Sequence, residues 1–281
     1  MYSIVIATLN RYEYLEKTIE YICNQLLLPD KIIIIDSSDT NLPLSFKHKL
    51  DRNPSIIYKR VLYKSAALQR NEGAELVDSE FVIFLDDDVE FTNSFFSEIF
   101  KTISEHNLVA VGPRQINAEI PPPGRILKLY YSLQAGYIDK SFGGRLFGVG
   151  INCYPCFELQ KEELLPAEWL PSTCLIINTK VFNQFKFPAF DGYSFGEDVF
   201  LTASIAKKYP LFWLSTISYL HHSAPTTFKK NLSALRKMAL SNQRLIAEEI
   251  IGLKGWKLRY KLFLHKLFLN LVRIKQANIR Y

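Results

Sequence analysis

Residues 81–90, FVIFLDDDVE, consist of five apolar residues that lead directly into Asp86, Asp87 and Asp88. A short apolar run of this kind is typical of a strand buried on both faces of a parallel sheet. Three adjacent carboxylates repel one another, and burying them is costly unless a cation compensates the charge. Hard divalent ions such as Mg²⁺ and Mn²⁺ prefer carboxylate oxygens and share their remaining positions with phosphates. The stretch predicts a metal site at a strand end, where open α/β sheets bind ligands. A solvated acidic turn is the alternative.

The chain before this stretch alternates between strands and helices. Apolar runs predict strands at residues 3–7, 31–35 and 56–63, and helical periodicity predicts helices at residues 12–27 and 65–77, the second interrupted by a glycine. One apolar stripe on the first helix consists of Leu15, Ile19, Ile22 and Leu26. Strand–helix–strand order is typical of parallel sheets with right-handed crossovers. We therefore predict an α/β fold, with a Rossmann-like, mostly parallel sheet flanked by helices.

The second half of the chain returns to this pattern after a long interruption. Residues 113–167 are rich in glycine, proline and aromatic residues, which predicts an irregular insertion that serves as a lid or binding loop. A strand is expected at 174–178, a helix at 196–208 that opens with two acids, and a strand at 211–220. The predicted α/β domain therefore covers residues 1–227.

The net charge of +6 is unevenly distributed along the 281 residues. Residues 228–281 carry 13 Lys and Arg against 2 Asp and Glu, whereas residues 1–227 carry 21 against 26. Apolar residues recur at steps of three and four in this tail, namely Trp256, Tyr260, Phe263, Leu267, Leu271 and Ile274, with Lys254, Lys257, Lys261, His265 and Arg273 on other faces. A basic amphipathic helix of this type predicts peripheral contact with a membrane through residues 254–281. Packing on the domain, or on a second subunit in a homodimer, is the alternative, and nucleic acid is a weaker partner.

Compartment and thiol chemistry follow from what the sequence lacks. No basic n-region or cleavage site opens the sequence, and no apolar window suits a bilayer span, so a cytoplasmic location is predicted, at the inner face of the plasma membrane if the tail binds there. Cys153 and Cys156 have CxxC spacing, but no second pair completes a zinc site. Reduced thiols are expected.

Four polar clusters follow apolar strands or open a helix, at residues 8–11, 36–39, 86–88 and 197–198. A doubly wound sheet gathers such strand ends along one edge. Neither GxGxxG nor GxxxxGK[ST] occurs, so the usual glycine-rich phosphate cradles are absent. Phosphates would instead be held by a metal ion and by Arg70.

Six motifs in this order resemble family 2 glycosyltransferases of the GT-A fold. They are SIVIATLNR at residues 3–11, Asp36 after a run of isoleucines, LQRNEGA at 68–74, FLDDDV at 84–89, FGEDVFL at 195–201 and YLHH at 219–222. The resemblance implies a nucleotide-sugar donor, either a UDP- or a dTDP-sugar, and an inverting, metal-dependent transfer with Mn²⁺ or Mg²⁺.

The same resemblance implies roles for individual residues. Asp86 and Asp88 bind the ion and the diphosphate together with Asp87, Asp88 being the more direct metal ligand and Asp86 lying nearer the ribose. Arg70 lies beside the diphosphate, and His221 is an additional metal ligand. The base pocket is formed by Asp36, Thr8 and Asn10, and the acidic pair by Glu197 and Asp198, with Asp198 as the general base.

Each of these residues also has a purely structural interpretation. Asp36 could cap a turn, Arg70 could form a surface ion pair, and Glu197 and Asp198 could be ordinary first-turn charges. His221 could be a hydrogen-bonded histidine without metal. The chain has Ala7 where the family has proline, and it lacks the family's acidic residue and arginine after the acidic pair, which leaves acceptor identity open.

The predicted reaction is hexosyl or deoxyhexosyl transfer to a saccharide acceptor, a lipid-linked one if the tail binds membrane, in the assembly of a surface polysaccharide. A haloacid-dehalogenase-type phosphatase would also place DxD after a strand, but Glu90 occupies its next motif position and no later GDGxxD follows. A non-catalytic carbohydrate- or lipid-binding module is the other alternative, and it leaves the clustered carboxylates unexplained.

Overall fold

The computed structural model describes residues 1–118, 124–135, 144–155, 157, 162–190, 195–223 and 232–278. Cys156, parts of the region at 113–167, and the domain boundary at 227 and 228 lie outside these ranges.

Strands and helices follow one another in the predicted order through most of the chain. The strands are β1 Tyr2–Thr8, β2 Lys31–Asp36, β3 Ile56–Arg60, β4 Phe81–Leu85, β5 Val89–Glu90, β6 Ala110–Gln115, β7 Leu146–Phe147, β8 Ile151–Asn152, β9 Leu164–Ala167, β10 Cys174–Asn178 and β11 Leu211–His221. The helices are α1 Tyr12–Cys23, α2 Leu44–Asp51, α3 Ala66–Ala74, α4 Phe95–His106, α5 Arg125–Ala135, α6 Thr179–Phe182, α7 Glu197–Ala206, α8 Leu232–Leu245 and α9 Gly255–Asn278.

Within the described residues, one sheet has the strand order β3-β2-β1-β4-β10-β6-β11-β5, and β9 pairs beside β11. Strands β3, β2, β1 and β4 are mutually parallel, and β6 is parallel to β11. Strand β10 is antiparallel to both β4 and β6, so β6 runs in the same direction as β4. The prediction of a mostly parallel α/β sheet flanked by helices is confirmed, and β10 is its internal exception.

Both faces of the sheet are buried, which explains why its strands are apolar without alternation. In β1, Ile4 and Ile6 belong to the core on one face and Val5 to the core on the other. In β4, Ile83 and Phe84 divide in the same way. Parallel pairing places the carboxyl ends of these strands at one edge, where Thr8 lies beside Asp36 in the sheet register.

Helix α1 ends at Cys23, four residues earlier than predicted, and Leu26 is 76% exposed rather than part of its buried stripe. The buried side chain of Gln25 donates to the carbonyl oxygens of Tyr21 and Thr92 and accepts from the amide of Phe96. These hydrogen bonds tie the chain after α1 to the start of α4. The apolar stripe of α1 therefore stops at Ile22.

Helix α3 continues through Gly73, where the sequence predicted an interruption. A Cβ atom at this position would overlap Cγ1 of Val5, so glycine lets the helix lie directly on β1. The helix begins with Ser65, whose hydroxyl accepts a hydrogen bond from the amide of Leu68. The helix that carries Arg70 is thereby fixed against the centre of the sheet.

The region at 113–167 is more regular than predicted in its described part. It contains α5, a short β7–β8 hairpin and β9, which extends the main sheet beside β11. Tyr131 of α5 packs edge-on against Phe147 of the hairpin. Glycine and aromatic content thus indicated a packed subdomain rather than an irregular loop.

Helix α8 and the turn that follows it pack against the preceding part of the chain. Asn242 of α8 is buried and donates to the carbonyl oxygen of Phe195, and Ile246, in the turn of π-helix that follows α8, is buried against Gly150 and Gly196. Among the described residues, no helix combines the length and apolar character needed to cross a bilayer.

Helix α9 forms as predicted, but the face that packs on the fold carries His265 and not the apolar stripe of Trp256. Tyr130 of α5 stacks on Phe268 with ring centroids 4.0 Å apart and hydrogen-bonds to Nδ1 of His265. His265 is therefore buried, not on a polar face, and desolvation lowers its pKa to about 4. Through this face the tail packs on the rest of the chain, which was the alternative to membrane contact.

Candidate active site

The carboxyl ends of β1, β2 and β4 and the start of α7 bring the predicted clusters together at one edge of the sheet. Thr8 Oγ1 donates to Asp87 at 2.6 Å, and Arg70 joins Asp86 to Glu197. The position of His221 at the end of β11 places it against Asp88, its Nε2 lying 3.0 Å from Oδ1. Residues from distant parts of the sequence thus share one site.

The three consecutive aspartates divide into one closed and two open carboxylates. Asp87 is buried, accepts from Thr8, and forms an ion pair with Arg11, whose Nη2 lies 2.5 Å from Oδ1. Burial raises the pKa of Asp87 to about 7, although Arg11 and Thr8 act in the opposite direction. Asp87 therefore has its compensating partners inside the protein.

Asp86, Asp88 and His221 form an open trio on the other side of the strand end. Each can offer one ligand atom, and these atoms lie within 4.8 Å of one another. Arg11 also approaches Asp88, at 3.5 Å. Burial lowers the pKa of His221, but its hydrogen bond to Asp88 and the charges of Asp86 and Asp88 outweigh this effect and raise it overall.

The donor set of this trio fits a divalent cation. Carboxylate oxygens suit Mg²⁺ and Mn²⁺, and an imidazole nitrogen completes a mixed site. Asp88 is almost fully buried, whereas the side chain of Asp86 is 22% exposed, so the trio is reachable from solvent on one side. A cation shared with a ligand phosphate could lie there without rearrangement of the fold.

Arg70 connects this trio to the acidic pair at the start of α7. Its Nη2 donates to Asp86 at 2.8 Å and its Nη1 to Glu197 at 3.2 Å, and its guanidinium lies 5.5 Å from the ring of Phe187. Arg70 is buried, so both ion pairs are shielded from solvent. Arg70 thus orients the carboxylates of Asp86 and Glu197 and brings a positive charge next to the open trio.

The two acids of α7 have different environments. Glu197 is buried, and desolvation together with the charge of Asp198 raises its pKa to about 8, with Arg70 offsetting part of the shift. Asp198 is half-buried and accepts from the amides of Val199 and Ser172. Burial raises its pKa, and these two amide hydrogen bonds oppose the shift.

Asp36 lies at the end of β2 and is fully buried. Its Oδ2 accepts from the hydroxyls of Tyr12 at 2.8 Å and Tyr58 at 2.6 Å, and its Oδ1 accepts from the amide of Ser38. The carboxylate is thus held by three donors from three segments of the chain. This arrangement fixes the loop after β2, which faces the same edge as the aspartate cluster.

Asn10 has a left-handed backbone conformation with φ of 56° and is bonded to this loop. Its amide donates to Ser38 Oγ, its side chain donates to Asp39 at 3.0 Å, and its Oδ1 accepts from the amide of Asp39. The exposed carboxylate of Asp39 also pairs with Lys64 at 2.5 Å. Asn10 thereby joins the ends of β1 and β2 into one rim.

Several residues that build the site were not assigned a role from sequence. Arg11, Tyr12 and Tyr58 compensate Asp87 and Asp36. Gln69 donates to the carbonyl oxygens of Thr8 and Ile35, and Asn71 forms two hydrogen bonds with the backbone of Phe187. The polar residues beside Arg70 in LQRNEGA were the available signal, because polar residues on a helix that packs against a sheet need buried partners.

The sequence matches the glycosyl transferase family 2 profile over residues 3–162, which is more than half of the chain. The class defined by the fold and the site is thus a GT-A glycosyltransferase, and the chain belongs to glycosyl transferase family 2. No curated protein matches it.

Solved structures confirm the fold. S. aureus TarS, residues 1–349 in complex with UDP-GlcNAc, is similar with a TM-score of 0.61 and 17% identity, over 96% of this chain and 71% of that one. GalNAc-T7 with UDP, GalNAc and Mn²⁺ has a TM-score of 0.61 and 15% identity, over 88% of this chain and 48% of that one. The mannosyltransferase PcManGT of Pyrobaculum calidifontis with GDP-Man and Mn²⁺ has a TM-score of 0.57 and 14% identity, over 94% of this chain and 69% of that one.

Proposed function

We propose that this glycosyltransferase moves a hexosyl or deoxyhexosyl group from a UDP- or dTDP-sugar to a saccharide acceptor, with inversion at the anomeric carbon. The observation that supports this most directly is the open trio of Asp86, Asp88 and His221 next to Arg70 and Asp198. The trio suits a metal–diphosphate complex, and Asp198 suits an acceptor hydroxyl. Similar folds have been solved with UDP-GlcNAc, with UDP and Mn²⁺, and with GDP-Man and Mn²⁺.

Asp86, Asp88 and His221 are the residues we assign to the metal ion, Mn²⁺ or Mg²⁺. When bound, such an ion neutralises the departing diphosphate as a Lewis acid. Arg70 lies within hydrogen-bond distance of Asp86 and adds a buried positive charge on the same side. The ion pair between Arg11 and Asp87 keeps the middle carboxylate occupied, so we assign Asp87 a positioning role in the nucleotide-sugar site.

The loop rim at the ends of β1 and β2 is our candidate for the nucleoside pocket. Asp36 is held rigidly by Tyr12 and Tyr58, and Thr8 and Asn10 connect this loop to the aspartate strand. Hydrogen-bonded loops that cannot relax into solvent are suited to discriminating between bases, since they leave a wrong partner unpaired. We assign base recognition to Asp36 with Asn10 and Thr8.

Asp198 is our candidate general base. Its half-buried carboxylate lies at the start of α7, and the rise in its pKa caused by burial makes it a stronger proton acceptor. Glu197, the other acid of this predicted pair, is buried and engaged by Arg70. We therefore give Glu197 the task of orienting Arg70 and give Asp198 the acceptor proton.

The acceptor is proposed to be a lipid-linked saccharide used in surface polysaccharide assembly at the cytoplasmic face of a membrane. The strongly basic residues 228–281 support this proposal, because a catalytic domain at residues 1–227 that is held on anionic lipid meets such acceptors in two dimensions. Specificity for the acceptor would come from residues 113–167, including α5 and the β7–β8 hairpin.

A thermal-shift panel of nucleotide sugars with and without Mn²⁺ tests the proposal. One nucleotide sugar should raise the melting temperature only when metal is present, because the ion and the diphosphate complete each other's coordination. Stabilisation without any requirement for metal would contradict it. Release of phosphate from a simple phosphomonoester would instead favour the phosphatase alternative, and the absence of turnover with every donor would favour a binding module.

A further inference from the structure

The outward face of α9 is apolar and has no partner among the described residues. Trp256 is 72% exposed and Phe263 is 63% exposed, and the stripe they belong to also includes Tyr260, Leu267 and Leu271. These residues recur at steps of three and four, so they form a single line along the helix. Leu258 and His265 are buried on the opposite side. The helix is therefore apolar both where it docks and where it faces outward.

Helix α5 carries a second exposed apolar stripe. Ile126 is 65% exposed, and Leu129 and Leu133 follow it at steps of three and four. The neighbouring side chains Tyr130 and Gln134 are buried. Three large aliphatic residues on one face of an eleven-residue helix exceed the scattered exposure that is normal for a protein surface.

The two stripes lie on the same side of the molecule. Gln134 near the end of α5 donates to the carbonyl oxygen of Lys261 near the start of α9, and Tyr130 contacts His265 and Phe268 further along. The helices are therefore antiparallel. On α5, Tyr130 and Gln134 lie around the helix between the exposed stripe and the side that packs on the core. On α9, Lys261, His265 and Phe268 have the corresponding position. In an antiparallel pair, this arrangement turns both stripes away from the core.

The charged residues of both helices of this surface are basic. Helix α9 contains six Lys and Arg and no Asp or Glu, and α5 contains two Lys and Arg and no acid. Lys257, Arg259 and Lys266 are exposed beside the stripe of α9. A second copy of the chain would bring two basic faces together, whereas an anionic lipid surface complements both the charge and the apolar stripes.

We propose that α5 and α9 together form one docking surface for an anionic lipid bilayer. The aromatic and aliphatic side chains enter the boundary between headgroups and acyl chains, and the Lys and Arg side chains reach the lipid phosphates. Helix α5 is the new element, because it belongs to the catalytic domain and fixes the orientation of that domain on the lipid. Binding to lipid does not require the transferase reaction, so this surface stands or falls independently of the proposed chemistry.

Vesicle cosedimentation of the full chain tests the surface. We expect binding to phosphatidylcholine vesicles that contain phosphatidylglycerol, weak binding to pure phosphatidylcholine, and loss of binding at high salt. Phe263→Glu in α9 and Leu129→Glu in α5 should each weaken partitioning about ten-fold, because each places a charge at the apolar boundary. Both residues are exposed, so folding and the Mn²⁺-dependent thermal shift should be unchanged.

Leu44→Glu is the matched control, because Leu44 is an even more exposed leucine at the start of α2, outside this surface. It should leave partitioning unaltered. Wild-type partitioning by Leu129→Glu would remove α5 from the surface and overturn the proposal, as would equal binding to neutral and anionic vesicles. A dimer in light scattering that Phe263→Glu dissociates, without lipid binding, would assign the surface to a second copy and would also overturn it.

Discussion

Asp87 and Asp88 are adjacent in sequence but belong to opposite electrostatic environments. Asp87 is paired with Arg11 and hydrogen-bonded by Thr8, and Asp36 is likewise held by Tyr12 and Tyr58. Asp88 instead faces Asp86 and His221 in an arrangement that brings two carboxylates together. Arg70 also pairs with Asp86, and Arg11 lies 3.5 Å from Asp88. The difference therefore separates a carboxylate enclosed by protein donors from two carboxylates that also share a set of ligand atoms suited to a cation.

Removal of an open carboxylate should have the largest effect on catalysis. Asp88→Ala should lower kcat/KM by at least about 10³-fold, because a metal supplies several kcal/mol of charge stabilisation and each 1.36 kcal/mol is ten-fold in rate. The melting temperature without metal should fall little, since relief of the repulsion with Asp86 offsets the lost contacts of Asp88 with His221 and Arg11. Steady-state kinetics with the donor from the thermal-shift panel measure the effect. Undiminished turnover would remove Asp88 from the site.

Replacement of the candidate base should affect the rate and leave donor binding intact. Asp198→Asn should lower kcat by roughly 10²–10⁴-fold, the usual contribution of a positioned base. The thermal shift produced by metal and donor should match that of the wild type, because Asp198 is not among the open trio. Loss of donor binding in this variant would show that Asp198 acts on the donor and not on the acceptor.

The buried acid Glu197 should make stability dependent on pH. Its pKa rises from 4.5 to about 8 on folding, chiefly through desolvation, so the protonated form is favoured in the folded state. Its stabilising contribution is fully present below about pH 4.5 and is lost as the pH rises through about 8. Chemical denaturation at pH 6 and pH 9 should show a loss on the order of 1 kcal/mol or more that Glu197→Gln abolishes. The same pH slope in both proteins would contradict this assignment.

Removal of one donor from a closed carboxylate should have the smallest effect. Tyr58→Phe deletes a hydroxyl that donates to Asp36, a carboxylate that keeps Tyr12 and the amide of Ser38 as partners. We expect a loss of about 1–2 kcal/mol in the free energy of unfolding, which is typical of a hydrogen bond to a charged group. Urea denaturation measures it, with Tyr209→Phe, whose hydroxyl bonds to exposed Gln184, as the matched control.

Sequence predicted the sheet and the position of the aspartates because both depend on local pattern. The apolar runs of β1, β2 and β4 and their polar ends are visible without tertiary information. The antiparallel direction of β10 was not predictable, since periodicity carries no strand direction. Leu26 was misplaced because helical spacing continued past the point where Gln25 binds to the start of α4.

The partners of the closed carboxylates and the docked face of α9 depend on long-range contacts. Arg11 and Tyr58 are distant in sequence from Asp87 and Asp36, and no local pattern joins them. Helix α9 has apolar residues on both faces, so the stripe of Trp256 was evident. Burial of His265 depended on α5, and burial of Leu258 depended on Val149 and Ala247. Sequence located the acids, and only the fold distinguished the enclosed carboxylate of Asp87 from the carboxylates of Asp86 and Asp88 that face the candidate metal site.

Metal binding by a matched pair of variants separates the two environments most directly. Mn²⁺ with the nucleoside diphosphate of the donor identified in the thermal-shift panel should stabilise the wild type and Asp87→Ala. This variant itself loses about 1–3 kcal/mol because Thr8 and Arg11 lose a buried partner. The same ligands should leave Asp88→Ala unshifted, although its stability without metal is near that of the wild type. Equal metal-dependent shifts in both variants, or no shift in the wild type, would contradict the division between closed and open carboxylates.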